Sequence, residues 1–172
     1  MKIRLDRLED EPFAWRETLS VSVAEIDRDE LLEIGEISTR GTLERLDDGV
    51  RLAAQLNYDQ TLACVRCLEP IVAPVERRFE LILLVGAPQP TAGEYDLEVA
   101  ELDVLYLDEE ILDTRPLMME QIQLNIPMRA LCREDCLGLC PVCGGNRNER
   151  ACTCAEREVD PRWAALERLR GE

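Results

Sequence analysis

Eight cysteines are the side chains in this 172-residue sequence whose type and spacing suggest chemistry. Six of them, Cys132, Cys136, Cys140, Cys143, Cys152 and Cys154, lie close together near one end, and Cys64 and Cys67 form a separate C-x-x-C far upstream. Thiols this dense are metal ligands, disulfides or redox centres, because core packing seldom concentrates them so. Zinc takes four ligands at ~2.3 Å from sulfur, and a C-x-x-C turn supplies two because its loop aims both sulfurs inward. Two such turns are present, Cys64/Cys67 and Cys140/Cys143. With the pairs Cys132/Cys136 and Cys152/Cys154 they make enough thiols for two filled Zn²⁺ sites.

Spacing leaves the partition open. Cys140/Cys143 with Cys152/Cys154 would close a compact local site. Cys132/Cys136, an i, i+4 pair that faces one way on a helical turn, would then complete a long-range clasp with Cys64/Cys67. A rival grouping joins Cys64/Cys67 to Cys140/Cys143, and a third keeps one zinc with the other thiols free. Disulfides are the alternative to metal. They are disfavoured because the N-terminus, Met1-Lys2-Ile3-Arg4-Leu5-Asp6-Arg7, has no continuous apolar stretch of a secretory signal, which points to a reducing, cytoplasmic setting. Thiol–disulfide catalysis would need a C-x-x-C at a helix N-terminus in a βαβ context, and neither pair has one.

Other chemistry is sparse. The chain contains no histidine, which removes the usual general base, the Ser-His and Cys-His nucleophile arrangements, and the His-containing zinc sites of hydrolases. The expectation is a protein without turnover. Its 36 acidic and 20 basic residues leave a net charge of −16. Each four-thiolate zinc site would add about −2 more. A field of that sign repels phosphate backbones and attracts basic proteins. Direct RNA contact would need a local basic patch, for which Arg66, Arg77, Arg78, Arg147 and Arg150 are the candidates. With 46% apolar and 33% charged residues, and no apolar run near the ~20 residues of a membrane span, the sequence reads as globular and not membrane-bound.

The elements that must position the thiols are mostly strands. Leu19, Val21 and Val23 alternate with small polar residues, which predicts a strand after the break at Pro12. From Ile34 to Leu46 the pattern is again β, and Asp47-Asp48-Gly49 supplies hairpin-turn chemistry. The return strand sets Leu52, Ala54, Leu56, Tyr58 and Leu62 on one face and delivers the chain to Cys64. A further strand runs to Val85 with Val75, Phe79, Leu81 and Leu83 at period two, so Cys64 and Cys67 sit at the tip of a second hairpin. Residues 86–93, with Pro88, Pro90 and Gly93, read as a linker, and Leu102, Val104 and Tyr106 as a short strand. Helix-start signals occur at Asp108-Glu109-Glu110 and at Asp113-Thr114-Arg115-Pro116, and a helix of about three turns should end near Pro127 and lead into the cysteines. Asp160-Pro161 would cap a short C-terminal helix with Trp163, Leu166 and Leu169 as its apolar stripe. The expected fold class is α+β: a mostly antiparallel sheet or open barrel, one mid-chain helix, a short C-terminal helix and a cysteine-rich zinc-knuckle region. Residues 1–130 would form the β-rich part with the helix, and 131–172 the knuckle region and C-terminal helix packed on it as one compact unit.

The Cys64-Val65-Arg66-Cys67-Leu68-Glu69-Pro70 hairpin, the Cys132 and Cys136 pair, Gly138-Leu139-Cys140-Pro141-Val142-Cys143-Gly144 and the terminal Asp160-Pro161-Arg162 occur in this order over most of the chain. Together they resemble the YceD-like family, the large ribosomal RNA subunit accumulation proteins. The resemblance implies a non-enzymatic factor needed for normal accumulation of large-subunit ribosomal RNA, and hence for ribosome assembly. Joined to the acidic charge, it suggests a basic ribosomal protein or the assembling large-subunit particle as partner. A different class of function, a redox-sensitive zinc-thiolate regulator or an RNA-binding protein, is the alternative.

Overall fold

The computed structural model describes residues 1–86, 103–154 and Arg162. Two hairpins form its centre. Strand β4 (Ile37–Leu46) turns through Asp47 and Asp48 into β5 (Gly49–Ala63), and β5 turns through the Cys64 loop into β6 (Pro70–Val85). Both pairings are antiparallel and unbroken, from Leu46↔Gly49 to Ser38↔Asn57 and from Val50↔Leu83 to Ala63↔Pro70. Strand β2 (Phe13–Leu19) pairs along the free edge of β4. Where β4 stops, β3 (Leu31–Ile34) takes over the same edge of β5, from Leu31↔Leu62 to Ile34↔Gln60. Strand β7 (Val104–Leu107) adds to β6 in parallel, so the six-stranded sheet is antiparallel except at that edge. A separate ribbon joins β1 (Lys2–Arg4) to β8 (Ile111–Asp113).

Helix α1 (Thr114–Asn125) follows β8 directly. Asp113 caps it, its Oδ1 accepting from the Arg115 amide at 3.1 Å, and Pro116 falls in the first turn, where its missing N–H costs nothing. The core lies on one sheet face: Ile37, Leu43, Leu52, Leu56 and Leu83 are buried in one cluster with Leu112 of β8 and Leu117, Met118 and Ile122 of α1. Period-two strands and a period-3.6 helix thus bury their apolar positions against each other. Gly41 is part of this packing, since a Cβ there would lie 2.8 Å from the Trp15 indole that covers it from β2.

Three expectations about elements change. The strand predicted at 19–24 instead ends at Leu19, and residues 23–25 form a 3-10 turn. Ser22 and Glu25 make a reciprocal capping box, and that local hydrogen bonding outweighs a period-two pattern only three apolar residues long. The acidic stretch 108–110 does not start a helix. It precedes β8, because the N-terminal strand β1 supplies a partner that local propensity cannot register. The i, i+4 spacing of Cys132 and Cys136 is carried by a turn, closed by the Cys136 amide on the Arg133 carbonyl at 3.2 Å, and not by helix. The C-terminal helix predicted at 160–170 and the linker at 87–93 lie outside the described residues apart from Arg162.

Candidate metal centre

The eight thiols gather into two groups of four: Cys64, Cys67, Cys132 and Cys136, and Cys140, Cys143, Cys152 and Cys154. Within each group every Sγ lies within 4.8 Å of the others. Of the groupings that spacing allows, this is the long-range clasp plus the compact local site. All eight cysteines are free thiols.

The first group forms where two parts of the chain meet. The β5–β6 hairpin carries Cys64 and Cys67 to its tip, and the segment leaving α1 brings Cys132 and Cys136 to the same point. The Val65 amide donates to the Ala130 carbonyl at 3.0 Å and fixes the approach. Cys64 and Cys136 sulfurs stand 3.9 Å apart, and those of Cys67 and Cys132 3.6 Å apart. Four sulfurs ~2.3 Å from a common centre in a tetrahedron are about 3.8 Å from one another, so the group already has the dimensions of a tetrathiolate metal site. Cys64, Cys67 and Cys136 are buried, and only Cys132 is exposed. In the second group Cys140 is buried, Cys152 half-buried, and Cys143 and Cys154 exposed.

Both C-x-x-C loops adopt the same turn. The Leu68 amide donates to the Cys64 carbonyl at 2.9 Å, and the Gly144 amide to the Cys140 carbonyl at 2.9 Å. Leu68 and Gly144 both take the left-handed conformation, with φ of 64° and 70°. Glycine adopts it freely, whereas leucine does not, and the Leu68 side chain is 62% exposed. Leu68→Gly should therefore stabilise the fold by roughly 0.5–1 kcal/mol, read from denaturant unfolding of the whole chain. A loss of stability would show that the leucine side chain carries packing that outweighs its backbone strain.

Residues beside the sulfurs tie the hairpin tip to the segment after α1 and the second group's loop to the first group. Arg66 spends its guanidinium on backbone, its Nη1 donating to the carbonyls of Glu134 at 3.1 Å and Cys136 at 2.8 Å, so this candidate for RNA contact belongs to the clasp. Gly138, with φ of 72°, lies so close to Arg66 that a Cβ would stand 2.9 Å from the Arg66 carbonyl oxygen. Asn148, in the loop between Cys143 and Cys152, reaches back to the first group. Its Nδ2 donates to the Cys136 sulfur at 3.2 Å, and its Oδ1 accepts from the Leu137 amide at 2.8 Å and from Arg133 at 2.8 Å. Asn148 carries no signal in the sequence, since an asparagine in a glycine-containing loop reads as turn chemistry. Such donors to ligating sulfur hold ligands in place and temper their charge. Asn148→Ala should weaken metal binding at the first group about 10–100-fold, measured by competition with a chromophoric chelator, and leave the second group unchanged.

Crowding splits the titration of the thiols. Burial works against ionisation of Cys64, but the amides of Cys67, Cys132 and Arg66 aimed at its sulfur outweigh it and lower its pKa to about 6. The amides of Cys143 and Val142 lower Cys140 to about 6. Burial and the neighbouring sulfurs push Cys132 up to about 12, and the contact with Cys143, reinforced by burial, does the same to Cys154. The first group thus sets two sulfurs that ionise more readily, Cys64 and Cys136, beside two pushed up, Cys67 and Cys132, and the second sets Cys140 beside Cys154, because adjacent thiolates repel. A cation at the centre would let all four ionise together.

The family model described as "Large ribosomal RNA subunit accumulation protein YceD" matches residues 52–170, a span that includes all eight cysteines. The chain belongs to the YceD family. It is 29% identical over 136 residues to the protein Rv2926c of Mycobacterium tuberculosis, an alignment covering 75% of this chain and 59% of that one. To a maize protein named large ribosomal RNA subunit accumulation protein YCED homolog 1, chloroplastic, it is 31% identical over 153 residues, covering 75% and 50%. To YlbN of Bacillus subtilis it is 22% identical over 167 residues, covering 96% and 92%. The chain therefore spans only 59% and 50% of the length of the mycobacterial and maize relatives. No solved structure matches. Among the described residues, no helix is long and apolar enough to cross a membrane.

Proposed function

We propose that this YceD-family protein supports accumulation of large-subunit ribosomal RNA as a ribosome-assembly factor, and that each group of four cysteines holds one Zn²⁺. The observation that carries the metal assignment is the fit of the two groups: four free thiols each, with sulfurs at tetrathiolate spacing in the first, and backbone amides aimed at Cys64 and Cys140. Zinc is the ion that soft, closed, four-sulfur sites select, and it would act here as a cross-link between distant parts of the chain. Four thiolates leave no open position for water, and the sequence offers no histidine, so the protein acts by binding.

The ribosomal assignment rests on family membership and on the printed name of the maize relative. The net charge of −16 favours a basic ribosomal protein, met free or on the assembling large subunit, and steers the encounter electrostatically. The test is co-purification: the zinc-loaded chain, tagged and recovered from cells of its own organism at low salt, should retain large-subunit precursor particles or a basic ribosomal protein, and lose them as salt rises. Recovery of neither at low salt would overturn the reading.

A further inference from the structure

The face of the six-stranded sheet opposite the core carries an arrangement that neither the zinc sites nor the fold accounts for. Strand register places Arg16 opposite Arg40, Arg40 opposite Gln55, and Gln55 opposite Arg78, one continuous row across β2, β4, β5 and β6. At ~4.8 Å between neighbouring strands the row spans about 14 Å. Beside it runs a row of short side chains, Ala14, Thr42 and Ala53, and the two rows line a groove of about 650 Å³. Like charges directly opposite each other destabilise a strand pair. Yet Arg16 and Arg40 face each other in a chain with 36 acidic residues, and no carboxylate stands on this face of β2 and β4 in that row or in either adjacent row.

The hydrogen bonding points the same way. Arg40 donates to the neutral Gln55 Oε1 at 2.6 and 3.2 Å, and so is positioned without losing its charge. Gln55 is itself held by Glu76, through Nε2 to Oε1 at 2.8 Å. Arg16 is exposed and makes no hydrogen bond or ion pair among the described residues. Arg78 is balanced by Glu76 at 3.3 Å, and Glu80 borders the groove at the same end. The groove therefore has a positive pole at Arg16 and Arg40 and a neutralised end on β6.

We infer that this groove is a phosphate-binding slot that takes single-stranded RNA, with Arg16 and Arg40 gripping one backbone phosphate and the floor of Ala14, Thr42 and Ala53 leaving room for the nucleotide beside it. Guanidinium groups bind phosphate oxygens through paired N–H donors, and two on neighbouring strands converge on one doubly liganded anion. The choice of RNA over an acidic peptide rests on the ribosomal reading above, in which the particle that the protein meets is largely RNA. Of the arginines offered by local sequence, Arg66 is committed to the clasp, and Arg78, at the far end of this row, is paired with Glu76.

The test uses the full zinc-loaded chain and a fluorescein-labelled oligouridylate about 12 nucleotides long at ~50 mM salt, followed by anisotropy. The expected result is saturable binding that Arg16→Gln/Arg40→Gln weakens roughly tenfold or more, with a salt dependence shallower by about 0.7 in log–log slope, the value for one lost phosphate contact on a single strand. Arg16→Gln alone removes no hydrogen bond or ion pair among the described residues and should weaken binding by a smaller factor than the double variant. The control Arg7→Gln/Arg28→Gln, which alters net charge equally at exposed positions off this face, should leave binding unchanged. Absence of binding by the parent chain, equal weakening by the control, or displacement by polyglutamate as effective as by unlabelled RNA would each overturn the slot. Should the Arg16→Gln/Arg40→Gln chain bind RNA as the parent does while still retaining precursor particles in co-purification, the slot is wrong and the ribosomal reading stands. Loss of particle recovery by the parent chain sinks the ribosomal reading itself.

Discussion

Cys64→Ser is expected to lower bound zinc from two ions per chain to one and to lower the thermal midpoint by about 10 °C or more. Cys64 is fully buried at the tip of the β5–β6 hairpin, and its sulfur faces those of three other cysteines. It also accepts from the Cys132 amide at 3.5 Å. A serine oxygen keeps the volume but is a poor zinc ligand, so the first site opens and the hairpin tip loses its tie to the segment after α1. Because binding energy at a structural zinc site is folding energy, the loss amounts to several kcal/mol, at roughly 2–4 °C per kcal/mol for a chain of this size. Cys154→Ser should also remove one zinc but cost much less stability, since Cys154 is exposed and its site closes only a local loop. Metal analysis with thermal unfolding checks both. Equal destabilisation by the two variants would show that the long-range clasp is not what the first site contributes.

Removal of metal should proceed in two phases. The second group presents Cys143 and Cys154 to solvent, whereas the first presents only Cys132. A chelator must reach the metal by displacing one ligand at a time, so the second site should empty first, about tenfold faster or more, and thiol titration should reveal four reactive sulfurs before the remaining four. Acid should also release metal, and the sign follows from the thiols. Without metal Cys132 and Cys154 keep their protons up to about 12, so zinc must expel them, and affinity falls as pH falls, by about tenfold or more per pH unit below neutrality. Cys64 and Cys140, lowered to about 6, behave differently. A depressed pKa contributes stability to the metal-free chain that is fully present above the ordinary thiol range and is lost as pH drops through about 6. A single phase with all eight thiols appearing together would mean that the two sites unfold as one.

The sequence by itself determined what depends on near neighbours. Asp47 and Asp48 turn one hairpin, period-two apolar residues define β5 and β6, Asp113 and Pro116 start α1, and each C-x-x-C aims two sulfurs at one point. These features need only a few consecutive residues and their own hydrogen bonds, so spacing reveals them. Only the tertiary structure decided which thiols share a centre, because Cys64 and Cys136, 72 positions apart, meet through the placement of α1 relative to a hairpin tip. The same holds for β8, whose pairing with β1 replaced an expected helix start, and for Asn148, which serves a cysteine group across the knuckle. Arg16 and Arg40 are unremarked in sequence and become a pair only through the β2–β4 register, since a shift of one residue would turn one of them to the core face. Adjacency across strands is set by register and burial summed over the whole sheet, and no local pattern contains that sum.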